Sequence, residues 1–148
     1  MCFLFRCYSE PASGPFSSFP NVDRTLAVLQ GEMILHVENR PDVAMTAMST
    51  PYRFPGDVAT SATVIETVTD LNVMTRRSAC RAGLARLERC SAFEAVGGET
   101  LLLLRDGARL ANGQSLAPDD VLWLSAGETV AFSSPATLAW AIELSLSA

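Results

Sequence analysis

The chain has a single histidine, His36, and its four cysteines form neither the two close pairs of a zinc site nor a Cys-x-x-Cys redox motif. A metal site needs several convergent imidazole, thiolate or carboxylate ligands, and this inventory supplies no recognisable set. His36 therefore reads as a surface or strand-edge residue. Cys2, Cys7, Cys80 and Cys90 read as buried or idle thiols of a reduced compartment, which points to the cytoplasm. A Gly-x-Ser-x-Gly elbow is absent, and no cysteine has a histidine neighbour whose placement can be argued, so nucleophilic catalysis has no support. Blocks of basic residues are missing too. The net charge of -5 and pI near 4.8 come from scattered acids, which excludes a surface that neutralises a row of phosphates and so excludes nucleic acid as a partner. No apolar run approaches the roughly 20 residues of a membrane-spanning helix. The opening Met1-Cys2-Phe3-Leu4-Phe5 is cut off by Arg6 before it could form the hydrophobic region of a signal peptide. A soluble protein is expected, with no membrane partner.

What the chain does have is apolar residues, 49% of its 148, enough to bury a sizeable core in one domain or two small fused barrels. From Arg24 onward, β-branched and aliphatic residues come in short runs bounded by Gly, Pro, Asn and Asp, the pattern of strand, turn, strand. Leu26 to Leu29, Met33 to Val37, Ala62 to Val68, Leu71 to Arg76 and Leu84 to Leu87 read as strands, with Gln30-Gly31-Glu32 a tight turn between the first two. Leu101 to Leu104, Val121 to Leu124, Thr129 to Phe132 and Leu138 to Leu146 read likewise. Between Ala79 and Ala95 the spacing of Cys80, Leu84, Leu87 and Cys90 also fits a helix, although strand is favoured.

The two halves repeat each other. Thr25-Leu26-Ala27-Val28-Leu29-Gln30-Gly31 matches Thr100 to Gly107 with one residue inserted. Tyr52-Arg53-Phe54-Pro55-Gly56-Asp57 matches Leu122 to Glu128, and Asp70 to Val73 answers Thr137 to Trp140, in the same order. In such a unit the glycine reverses the chain where a Cβ would clash, and the following acid holds the turn through backbone N–H groups. This is the layout of a cupin half-barrel, and either half alone would leave a sheet face bare. The sequence thus predicts an all-β double cupin (bicupin, RmlC-like jelly roll) of two fused half-repeats, residues 1–96 and 97–148, divided at Gly97-Gly98. Any other β-sandwich shares some of these features.

The run Gly14-Pro15-Phe16-Ser17-Ser18-Phe19-Pro20-Asn21-Val22-Asp23-Arg24-Thr25-Leu26 resembles the HutD/Ves family. The likeness continues in order through Phe54-Pro55-Gly56-Asp57 and Asp70-Leu71-Asn72-Val73-Met74-Thr75-Arg76-Arg77. It implies a double-cupin protein linked to histidine utilisation that binds a small carboxylate such as formylglutamate and limits pathway flux, with no established catalytic activity. Members of that family begin with further residues carrying a Pro-Trp-Lys-Asn-Gly-Gly-Gly-like segment. Nothing in Met1 to Ser13 matches it, so the chain reads as N-terminally shortened, with Phe3-Leu4-Phe5-Arg6 the remnant of an early strand.

The two-residue period of a strand puts Asn72, Met74 and Arg76 on one face, a barrel interior with polar groups. Arg24, Asn72 and Arg76 are the expected ligand contacts, because an arginine fork suits a carboxylate and an amide both donates and accepts beside it. Met74 lies between them, and Ser18 can bond a ligand from its loop. A structural alternative is an ion-pair network of Arg24 or Arg76 with Asp57 or Asp70. Three functions follow: a cofactor-free binder of a small carboxylate; a metal-independent isomerase or epimerase using Asp57 or His36; or an interaction protein whose exposed sheet edge pairs with a second copy as a homodimer.

Overall fold

The computed structural model describes residues 2–10 and 12–147. Its strands are β1 (Phe3–Glu10), β2 (Gly14–Pro15), β3 (Val22–Val37), β4 (Val43–Thr46), β5 (Tyr52–Pro55), β6 (Thr60–Arg76), β7 (Cys80–Glu94), β8 (Glu99–Leu104), β9 (Ala108–Arg109), β10 (Ser115–Leu116), β11 (Asp120–Leu124) and β12 (Thr129–Leu146). The described residues contain no helix, and hence none long and apolar enough to cross a membrane. The ambiguous stretch from Ala79 to Ala95 is the strand β7. A φ of 50° at Arg89 breaks its alternation, which is how Leu87 and Cys90 come to lie three apart on the side that packs into the core.

The chain divides into two compact units, residues 1–81 with 146–148 and residues 82–145. Gly97-Gly98, where the repeat comparison sets its boundary, connects β7 to β8 within the second unit. In the first unit the antiparallel sheet runs β1-β6-β3-β4, with β2 beside β6 and β5 beside β3. In the second it runs β11-β8-β12-β7, with β9 and β10 as a separate pair. The repeat seen in the sequence is a repeat of pairing: β3 lies between β5 and β6 as β8 lies between β11 and β12.

The one expected hairpin is a single long strand. Gln30-Gly31-Glu32 is not a turn but a bulge inside the 16-residue β3, where the register against β6 shifts between Val28 and Met33. Before the bulge Leu26 and Val28 face inward, opposite Asn72 and Asp70; after it Met33 and Leu35 do, opposite Val64 and Ala62. β6 keeps its alternation throughout while β3 changes phase by one residue. Gly31 makes this feasible: its φ is +83°, and a Cβ there would stand 2.2 Å from the Thr67 carbonyl oxygen. A glycine flanked by polar residues and a phase change in the apolar pattern belong to a hairpin and to a bulge alike. The stretch from Ala62 to Arg76 likewise lies in one strand, as does Thr129 to Leu146.

The repeated Gly-acid turns differ in how they use the glycine. At Gly56 a Cβ would meet the Val22 and Phe19 carbonyl oxygens at 3.0 and 3.2 Å, the clash expected from the sequence; at Gly127 nothing lies within 4 Å, and a φ of +86° is what requires glycine. Both acids do hold backbone: Asp57 accepts from the Asn21 amide at 3.3 Å, and Glu128 from the Ser125 amide at 2.6 Å.

Each unit has its own core. Leu26, Val28, Met33, Leu35, Val37, Met45 and Phe54 fill the first, with burial worth about 1.5–3 kcal/mol for each large side chain. Leu102, Leu104, Leu110, Leu124, Phe132 and several alanines fill the second.

Candidate ligand-binding site

The first unit's inward face is not wholly apolar. Strand register sets Arg24 opposite Met74 and Phe54, Leu26 opposite Asn72, and Val28 opposite Asp70. On the other side of β6, Arg6 of β1 stands opposite Asn72. Directly opposed residues share a face. Arg6, Arg24, Asp70, Asn72 and Met74 accordingly line one cavity of about 220 Å³, closed by Pro15, Phe16, Ser17 and Phe19 from the segment that leads into β3.

Arg24 is the centre of this cavity. It is only 6% exposed, and its guanidinium carbon lies 4.7 Å from the centre of the Phe16 ring, 5.3 Å from that of Phe54 and 5.7 Å from that of Phe19. An aromatic face stabilises a desolvated cation by about 2 kcal/mol or more. Among the described residues the guanidinium donates two hydrogen bonds, Nε to Asn72 Oδ1 at 3.4 Å and Nη1 to the Ser17 carbonyl at 3.5 Å. Both exceed the usual range of roughly 2.7–3.2 Å. Burial pushes the Arg24 pKa down and the negative charge of Asp70 partly offsets this, but a guanidinium stays charged. A buried cation whose fork of donors is hardly used inside the protein is suited to an anion with two oxygens.

Of the residues expected from the sequence, Arg24, Asn72 and Met74 come together. Arg76 does not join them. It is on the same face of β6 but exposed, two residues beyond Met74, and it lines separate hollows, one with Cys2, Leu4 and Phe19 and one with Asn21 and Arg77. Met74 and Phe19 line both the Arg24 cavity and the first of these hollows, and so stand between Arg76 and Arg24. Ser18 is exposed and outside the cavity; its neighbour Ser17 takes the lining place through its carbonyl. Arg6, Phe16 and Phe19 were not anticipated. Asp70, considered only as a structural partner, had a signal, since it continues the Asn72-Met74 alternation one step back.

An ion-pair network forms around one expected member, Asp57, with Asp23, Arg53 and Arg77 in place of Arg76, while Asp70 acts on Arg24 through its charge. Asp23 accepts from Arg77 Nε at 2.9 Å and Arg53 Nη2 at 2.6 Å, and Arg77 Nη2 reaches Asp57 Oδ1 at 3.0 Å. Burial pushes the Asp23 carboxyl up, but the hydrogen bonds from Arg77 and Arg53 outweigh it and hold the pKa below the ordinary carboxylate value. Asp57 is held low chiefly by Arg77, whose own pKa is raised by Asp57 and Asp23. Asp57 is thus committed to the turn and does not line the Arg24 cavity. His36 is outside it as well, bonded through Nδ1 to Asp42 and through Nε2 to Thr63, each at 2.8 Å. Among the described residues no three His, Cys, Asp or Glu side chains gather to form a metal site.

The HutD family model matches residues 11–141, most of the chain. The chain belongs to the HutD family. Protein Ves of Citrobacter koseri is 26% identical over 129 residues, covering 86% of this chain and 68% of Ves. The structure of HutD from Pseudomonas fluorescens SBW25 superposes with a TM-score of 0.78 at 21% identity, over 99% of this chain and 80% of that one. A cupin 2 conserved barrel domain protein from Leptotrichia buccalis gives 0.61 at 7% identity, over 99% and 84%. At such identities the likeness to solved structures establishes the fold alone, and that fold is the all-β cupin jelly roll expected from the repeat. The sheets of this HutD-family chain are not closed into barrels.

Proposed function

We propose that this HutD-family protein is a binder of a small carboxylate metabolite, acting in the cytoplasm without metal or cofactor and modulating histidine utilisation. Formylglutamate is the ligand that the family resemblance favours. The observation that carries the reading is Arg24, a buried guanidinium under three aromatic rings with only two long hydrogen bonds. Asn72 orients its Nε edge, and Arg6 adds a second cation at the lining. The volume, about 220 Å³, is below the roughly 300–1,000 Å³ of drug-sized sites and suits a metabolite of a few carbons.

Calorimetric titration with formylglutamate, urocanate and histidine, repeated on Arg24→Lys, tests the proposal. Binding of at least one acid, weakened by the substitution, supports it; no heat with any of the three overturns the link to histidine utilisation. One observation favours an enzyme as the second reading: Asp70 places a carboxylate in the cavity beside Arg24. Turnover of a bound acid that Asp70→Asn abolishes would support that reading over plain binding.

A further inference from the structure

A second compartment adjoins the Arg24 cavity, sharing Pro15, Phe16 and Asp70 with it. It has about 230 Å³, and its deep walls are the side chains of Met33, Ala62 and Val64. Strand pairing explains why it is there. β1 pairs with β6 from Thr75 down to Val68, and β2 takes over only at Ala62 and Ser61. Between these stretches neither strand lies against residues 63–67, and the Val64 amide is taken up by Ser13 Oγ at 2.8 Å. The bulge at Gly31 supplies the far wall, because it turns Met33 inward, opposite Val64.

We propose that the acid held at Arg24 carries an apolar arm that lies in this second compartment. The ligand class is a monocarboxylic acid with an alkyl or aryl substituent. The reading rests on the carboxylate site proposed above and narrows it. Met33, Ala62, Val64, Pro15 and Phe16 offer an arm carbon, while Ser13 and the backbone beside it give the compartment a polar rim; the lining's one charged side chain is Asp70. Asp70 stands at the junction, 5% exposed, and repels a second carboxylate that would have to pass it. Formylglutamate, with two carboxylates, then ranks below an apolar-armed acid of similar length.

The test is calorimetric titration of the full chain with propionate, butyrate, pentanoate, hexanoate and glutarate. The measured quantity is the affinity ratio along the series. An arm entering an apolar compartment raises affinity by about fourfold per methylene, so hexanoate exceeds propionate by well over tenfold, and glutarate falls below pentanoate. In Ala62→Leu, which fills the compartment, the hexanoate-to-propionate ratio collapses toward one; Val64→Phe is the second variant should the first fail to fold. In Arg24→Lys every acid weakens while the ratio persists. A flat series in the unmodified protein, glutarate at least equal to pentanoate, or an unchanged ratio in a folded variant overturns the apolar arm and leaves the carboxylate site standing. If no acid binds at all, both fall together.

Discussion

Arg24 shows how much one residue's setting decides. An arginine on a strand facing a solvated groove would be an ordinary surface cation; under Phe16, Phe19 and Phe54 it becomes a desolvated fork. Lysine keeps the charge but not the planar fork or the stacking, so Arg24→Lys is expected to weaken carboxylate binding by about tenfold or more while the protein stays folded, as titration and a thermal melt would report. That Asn72 and Met74 share a face was legible in the sequence because a strand's two-residue period is a local property. Arg6 was not, since only the pairing of β1 with β6 sets it opposite Asn72, 66 residues away. Arg76 misled because parity tells which face a side chain is on, not how far along that face a cavity extends. Cysteine provides another check at this scale. Burial and a hydrogen bond with Cys2 push the Cys80 thiol up to about 12, whereas Cys7 is exposed. Iodoacetamide at pH 8 is expected to label Cys7 well before Cys80 in the native protein, as peptide mass mapping would show.

At the scale of the element, the bulge in β3 does what a hairpin turn was expected to do. It lets the strand present Leu26 and Val28, then Met33 and Leu35, to a single core without leaving the sheet. Gly31→Ala puts a Cβ against the Thr67 carbonyl in a left-handed backbone, and is expected to cost about 2 kcal/mol or more in urea denaturation. An unchanged midpoint would show that the bulge relaxes freely. The short turn after β5 has its own signature. Asp23 and Asp57 are both held below the usual carboxylate pKa of 3.8 in the folded state. Their contribution is fully present above that value and is lost as pH falls through the lower, folded one. The melting temperature is therefore expected to hold between pH 7 and pH 5 and to fall below about pH 4. The acid-side drop is expected to be shallower in Arg77→Gln, which removes the shared partner of both acids. Helix-like spacing from Leu87 to Cys90 belongs at this scale as well: an irregularity at Arg89, invisible in composition, puts these two out of the two-residue period.

For the whole molecule, the repeat legible in Thr25 to Gly31 and Thr100 to Gly107 became the same three-strand pairing twice over, β5-β3-β6 and β11-β8-β12. The order of the matched segments carried the fold, because each stands for a strand with a set partner. Chemistry did not repeat with it. Where the first unit directs Arg24, Asp70 and Asn72 inward, the second packs Leu102, Leu104, Phe132, Ala139 and Ala141. The proposed carboxylate site accordingly lies in the first unit. The most direct measurement is a crystal structure of the protein soaked with formylglutamate or hexanoate. A carboxylate is expected within roughly 2.7–3.2 Å of the Arg24 guanidinium nitrogens, between Phe16 and Asn72. A carboxylate seated instead beside exposed Arg76 and Arg77, with the Arg24 cavity empty at saturating ligand, would contradict this.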